Sequence, residues 1–272
     1  MSGDSYTALL AKRSGSVLEI TLNRPDVRNA LDETLIAELT RCVSSASGNA
    51  RALVLRGAGE SFCAGADLNW MARAAAYSHE ENLEDARRLQ RMLAALAHFP
   101  GVTISVVNGA AIGGGAGIAA ACDITIAAYD SWFMFSEVRL GLVPAIIAPY
   151  VVEKIGIGAA RALFVTGERL NGTRAKDIGL VQHLSPDSEA AERFVQDKLK
   201  LVLEAGPEAV AAAKCLLREI ANRPPEQVNE VTVACIAAAR AGAEGQEGMM
   251  AFLEKRKPAF AEPPPERVGS DG

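Results

Sequence analysis

Two runs of small residues, Cys63-Ala64-Gly65-Ala66 and Gly113-Gly114-Gly115-Ala116-Gly117, constrain the fold of this chain more than any other feature. Each lies shortly beyond a short apolar run. Residues with little or no side chain let a backbone approach a neighbour or a ligand closely, and at the carboxyl end of a parallel strand they mark where α/β folds bind. Segments 17–22, 52–55, 103–107 and 123–127 read as strands, and 31–47, 83–99 and 114–122 as helices between them. That alternation predicts an α/β layered fold with parallel pairing.

Beyond Pro144 strand signals fade and amphipathic patterns take over at 159–166, 174–178, 188–203, 207–220 and 227–241. The expected division is a core over 1–200, a helical C-terminal region over 201–260 and a frayed tail over 261–272, where Pro263-Pro264-Pro265 and Gly269-Ser270-Asp271-Gly272 are too polar and too rich in Pro and Gly to pack. With 49% apolar residues the chain can bury a full core. No uninterrupted apolar stretch approaches the roughly 20 residues of a membrane helix, so no membrane partner is expected. A net charge of −5 and 5% aromatics argue against nucleic acid as the main partner. Arg87, Arg88 and Arg91 form the one candidate basic helix face. Five cysteines without C-x-x-C spacing fit a reducing, cytoplasmic setting.

What both small-residue runs offer is backbone N–H. Two such groups aimed at one carbonyl oxygen stabilise the negative charge that forms when a thioester becomes an enolate. Gly113-Gly114-Gly115 precedes a good helix former, which adds the positive end of a helix dipole. It does not match the phosphate loop G-x-x-x-x-G-K-[ST], and no acidic ribose partner follows, so neither ATP nor NAD is expected as a cofactor. The first run also reads as a tight turn, and Asp67 as a helix N-cap no less than as a functional carboxylate. Glu137, in Phe133-Met134-Phe135-Ser136-Glu137-Val138-Arg139, has apolar neighbours that raise a buried carboxyl's pKa and fit it for proton transfer near neutrality. The competing reading is a salt bridge to Arg139 or Arg161. His79, His98 and His183 read as surface residues in helical settings, without metal-ligand spacing.

Asn23-Arg24-Pro25 with Arg28-Asn29-Ala30-Leu31, Phe62-Cys63-Ala64-Gly65-Ala66-Asp67-Leu68, and Val107-Asn108-Gly109-Ala110-Ala111-Ile112-Gly113-Gly114-Gly115 together resemble the crotonase (enoyl-CoA hydratase/isomerase) superfamily, from about Tyr6 to Phe260. The resemblance implies a spiral of repeated ββα units with a helical C-terminal trimerisation region, a homotrimer or dimer of trimers, and an acyl-CoA substrate, coenzyme A being part of that substrate. It implies an oxyanion hole made by the amides of Ala66 and Gly114, with Glu137 as the catalytic acid–base. It places substrate or coenzyme A contacts at Arg28, Ala30, Ala64, Asp67 and Leu68, and at Phe252 and Lys257, with Lys257 as phosphate partner. A solvated basic helix end is the competing account of the last two. Two-carboxylate hydratases carry a further glutamate where this chain has Gly117. The segments 68–71, 81–87, 135–150 and 244–248 resemble a subgroup that hydrates 3-methylglutaconyl-CoA or isohexenylglutaconyl-CoA and tolerates a non-acidic residue there. Arg139 and Arg73 are the candidates for a distal substrate carboxylate. The alternatives are Δ3,Δ2-enoyl-CoA isomerisation and a non-catalytic acyl-CoA- or RNA-binding protein.

Overall fold

The computed structural model describes residues 6–265. Its main sheet contains β1 (Leu9–Ser14), β2 (Val17–Leu22), β3 (Ala52–Gly57), β4 (Val102–Val107), β6 (Ile124–Ala128) and β9 (His183–Ser185), side by side in that order. Only β1 runs antiparallel to its neighbour. A second, smaller sheet is made by β5 (Ala110–Ile112), β7 (Trp132–Met134) and β8 (Arg169–Asn171). The chain passes from one sheet to the other and then into a helix: β4, β5 and α4 (Gly114–Ala121) form one such turn, and β6, β7 and α5 (Ala148–Thr166) the next. These are the ββα units the resemblance implied.

Alternation along the strands divides the interior. Leu53 and Leu55 of β3 join the larger core with α1 (Glu33–Ala46) and α3 (His79–Ala97). Ala52 and Val54 face the other way, against Ala191, Val195, Leu199 and Leu203 of α7 (Ser188–Glu204). Helix α1 buries Leu35, Ile36, Leu39, Cys42, Val43 and Ala46, one stripe at helical spacing, and Asp32 caps it by accepting from the Leu35 amide at 2.8 Å. The remaining helices are α2 (Leu68–Ala74), α6 (Gly172–Asp177), α8 (Pro207–Ile220), α9 (Asn229–Ala241) and α10 (Ala243–Leu253).

Several boundaries differ from the sequence reading. Helix α3 begins at His79, because Ser78 and Glu81 close a reciprocal capping box. Helix α5 begins at Ala148 and bends at Gly156, whose φ of 75° no regular helix contains. Strand β1 and the three-residue strands β5, β7, β8 and β9 were not expected; three residues are too few to display a period of two. His183 lies in β9, not in a helix, and stacks on Phe194 with ring centroids 3.9 Å apart. The tail is anchored further than expected. The buried Arg51 guanidinium donates to the Phe260 carbonyl at 2.7 Å and lies 3.6 Å from the Glu262 carboxylate, while the Glu262 amide donates to Leu203 at 2.9 Å. Residues 266–272 of the expected tail lie outside the described residues.

Candidate active site

Three segments leave the carboxyl ends of adjacent parallel strands: 23–32 after β2, 58–67 after β3, and 108–113, which includes β5, after β4. Main-chain bonds lace them together. The Cys63 amide donates to Ala110 and the Ile112 amide to Cys63, each at 3.0 Å. On the other side Leu31 donates to Gly65 at 2.7 Å, and Asp67 donates to Leu31 at 2.9 Å. Successive amides in an extended segment point to opposite sides, so the Ala66 N–H faces away from Leu31. Among the described residues it donates to no main-chain carbonyl. The Gly114 amide is in the same condition for a different reason: Gly114 is the first residue of α4, and first-turn amides have no partner inside a helix. Leu31 ties the two positions together, its main chain pairing with Ala66 and its side chain packing on Gly114 so closely that a Cβ there would lie 2.6 Å from Leu31 Cδ1.

Gly113 holds the turn between β5 and α4, with φ 50° and ψ −116°, and its amide donates to Met134 at 2.8 Å. Directly over it sits Glu137, at the start of the 3-10 turn Glu137–Leu140: a Cβ on Gly113 would stand 3.2 Å from Glu137 Oε1. Oε2 of Glu137 is buried and has no hydrogen-bond partner among the described residues. Neither Arg139 nor Arg161 pairs with it, so the salt-bridge reading gives way. Burial raises the carboxyl above the ordinary carboxylate range, against a smaller lowering by its own backbone hydrogen bond. A half-buried acid with an orphaned oxygen, set over Gly113 at the start of α4, can exchange protons with a bound ligand. Cys63 is unsuited to nucleophilic chemistry, because burial pushes its thiol up to about 12.

The other expected residues divide by role. Asp67 caps α2, accepting from the amides of Asn69 at 2.8 Å and Trp70 at 3.2 Å, and pairs with Arg24 at 3.0 Å. Burial alone would raise its pKa, but the Trp70 amide and Arg24 outweigh burial and lower it. Its carboxylate is thus spent on the fold. Arg28 adopts left-handed backbone, projects an exposed side chain, and accepts the Ala64 amide at 3.0 Å through its carbonyl. Ala30 is buried, and its carbonyl accepts from Arg24; Ala64 is half-buried. Leu68 is 80% exposed at the start of α2. Phe252, 83% exposed, ends a helix that packs on α8 and α9, and Lys257 is exposed just beyond it. Neither is buried against the small-residue loops. Arg87, Arg88 and Arg91 surround Glu84, with Arg91 at 2.7 Å, which offsets the candidate basic face. No group of three His, Cys, Asp or Glu among the described residues could hold a metal ion, and no described helix is long and apolar enough to cross a membrane.

Two supporting residues carry roles that spacing alone did not show. Asn29, fully buried and left-handed, donates to the carbonyls of Ala58 and Ser61 at 2.8 Å and accepts the Arg24 amide at 2.9 Å. Arg24 joins Asp32 at 2.9 Å, Asp67 at 3.0 Å and the Ala30 carbonyl, so one guanidinium fixes both helix caps and the Ala66 loop. Arg24→Met leaves the Asp67 carboxylate buried without its cation. It is expected to cost about 2 kcal/mol of stability in urea unfolding, and an unchanged midpoint would contradict this role.

Residues 12–263 match the family model described as "Enoyl-CoA hydratase/isomerase". The chain is 34% identical over 256 residues to the enoyl-CoA hydratase ACTT6 of Alternaria alternata, covering 92% of this chain and 82% of that one. It is 32% identical to the enoyl-CoA isomerase/hydratase fer4 of Mycosarcoma maydis, covering 90% and 92%. The solved structure of a putative enoyl CoA hydratase/isomerase (crotonase) from Legionella pneumophila superposes with a TM-score of 0.85 at 42% identity, covering 94% of this chain and all of that one. The match along nearly the whole chain, together with the ββα spiral and the paired small-residue loops, establishes that this protein belongs to the enoyl-CoA hydratase/isomerase (crotonase) family.

Proposed function

We propose that the protein adds water reversibly across the 2,3 double bond of an acyl-CoA thioester. The thioester oxygen sits between the Ala66 and Gly114 amides, water attacks C3, and Glu137 takes the water's proton and delivers it to C2 of the enolate. The observation that carries this reading is the orphaned, buried Glu137 carboxyl over Gly113, the residue that precedes the Gly114 amide. The names of the relatives support the reaction class. Exposed apolar side chains on the C-terminal helices, among them Leu217, Val233, Ile236 and Phe252, support assembly into a homotrimer or a dimer of trimers. Free cysteines fit a cytoplasmic location.

The substrate class we favour is branched and glutaconyl-like, with a distal carboxylate. Arg73 is committed to Glu33 at 2.7 Å, whereas Arg139, two residues from Glu137, has no ion pair among the described residues. Arg139→Ala should therefore lower kcat/KM for glutaconyl-type thioesters about tenfold relative to crotonyl-CoA, the share of one exposed charge-assisted contact. An unchanged ratio removes Arg139 from the role.

The test of the reaction is ultraviolet absorbance across a panel of 2-enoyl-CoA thioesters. Hydration bleaches the conjugated band. A second reading, Δ3,Δ2-enoyl-CoA isomerisation, is favoured by the name of the Mycosarcoma maydis relative and by the lone glutamate. A 3-enoyl thioester whose absorbance grows, with no bleaching of 2-enoyl substrates, would select it.

A further inference from the structure

Gly117 stands one helical turn after Gly114 on α4, on the face that carries Gly114. A side chain there would rise from the same wall on which the Gly114 amide lies. It has no room to do so. A Cβ built on Gly117 overlaps Cγ2 of Ile147, comes 2.9 Å from Ile147 Cβ and meets Leu93 Cδ1 at 3.8 Å. Ile147 is 2% exposed, precedes α5 directly, and is held there by the Val151 amide donating to its carbonyl at 3.1 Å. Helix α5 packs in turn on both α4 and the 3-10 turn of Glu137.

We propose that Ile147 confines the acid–base chemistry of this site to a single carboxylate, by filling the space into which any side chain at 117 would have to extend. The proposal rests on the hydratase reading above. It follows that both proton movements pass through Glu137. The attacking water gives its oxygen to C3 and a proton to Glu137, and the same proton returns to C2, which regenerates the carboxylate. Helix α4 carries no ionisable group. On α3, which also packs on α4, Asp85 accepts from the Trp70 indole at 3.2 Å, and Glu84 faces Arg87, Arg88 and Arg91. On α5, Tyr150 is half-buried and Glu153 and Arg161 are exposed, while Lys154 donates to the carbonyls of Cys122 and Asp123 at the far end of α4. Arg139, on the turn itself, lies against Gly167. Ile147 is thus a positioning residue, acting by exclusion.

The packing half of the proposal is tested by a melting cycle that needs no substrate. Gly117→Ala should lower Tm by about 5 °C or more in the native background, and by less than about half as much when Ile147→Gly has removed the obstructing side chain. Equal losses in the two backgrounds overturn the proposal. The chemical half uses hydration of crotonyl-CoA against pH. In the native background Glu137→Gln should cost about 10²-fold or more in kcat. With Gly117→Glu and Ile147→Gly together, a second carboxylate enters the site. There Glu137→Gln should cost about tenfold or less, and the pH profile should gain a second ionisation. A Glu137→Gln loss as large as in the native background, with an unaltered profile, overturns the proposal. A native protein that bleaches no thioester overturns the hydratase reading instead, and the melting cycle tells the two failures apart.

Discussion

Glu137→Gln is expected to lower kcat for hydration about 10³-fold while raising the thermal midpoint at pH 7. The loss of rate follows from chemistry: an amide neither takes a proton from water nor returns one to C2, and the carboxylate next to the Ala66 amide, Asp67, is engaged by Arg24 and the first amides of α2. The gain in stability follows from linkage. Burial raises the Glu137 carboxyl in the folded protein above its unfolded value near 4.3. The native state therefore holds this proton more tightly than the unfolded chain does. Its favourable contribution is complete below the unfolded pKa and is lost as pH rises through the folded one, so at pH 7 the buried charge is a net cost. Glutamine has the shape without the charge. The same raised pKa places the acid limb of kcat/KM above the usual carboxylate range, since the first step needs the carboxylate, and that limb should vanish from the residual activity of the variant. Unchanged kcat, or a lowered midpoint with the acid limb intact, would contradict the assignment.

Ala66→Pro is expected to reduce kcat by about 10² to 10³, equivalent to about 3 kcal/mol of transition-state stabilisation. Proline deletes the N–H, and here the deletion spares the main-chain bonding, because among the described residues the Ala66 amide serves no backbone carbonyl. The donors that hold the loop belong to Leu31, Asp67, Cys63 and Ala64 and remain in place. Binding should weaken far less than turnover, since the hole acts on charge that develops only during reaction. Gly114 is a poorer place for the same experiment. Proline is tolerated at a first helical position, but any Cβ there would collide with Leu31 Cδ1 at 2.6 Å. Circular dichroism establishes that Ala66→Pro folds, and a folded variant with full kcat would refute the oxyanion role.

The sequence was most legible where patterns are long. Strands β2, β3, β4 and β6, of five or six residues each, and helices α1, α7 and α8 follow from apolar runs and from helical periodicity. The three-residue strands of the second sheet carry no such signal, although they are what draws Cys63 and Gly113 together. The small-residue loops and Glu137 stood out in the sequence as candidates, since glycines before a helix and an acid among aromatics are unusual locally. The parts played by Arg24, Asn29 and Ile147 were not. An arginine in a turn reads as solvated, yet Arg24 is shared by Asp32 and Asp67, which lie 35 residues apart in the chain and meet only once β2 and β3 pair. Asp67 shows the converse: the carboxylate nearest the Ala66 amide in sequence is bound to a helix end and a guanidinium.

The most direct measurement is a crystal structure of the protein with a slowly turned over enoyl-CoA analogue bound. The account predicts a thioester oxygen about 3 Å from both the Ala66 and Gly114 nitrogens, with a Glu137 carboxylate oxygen in hydrogen-bond reach of a water over C3. An acyl oxygen held by other donors, or Glu137 turned away from the reacting carbons, would contradict it.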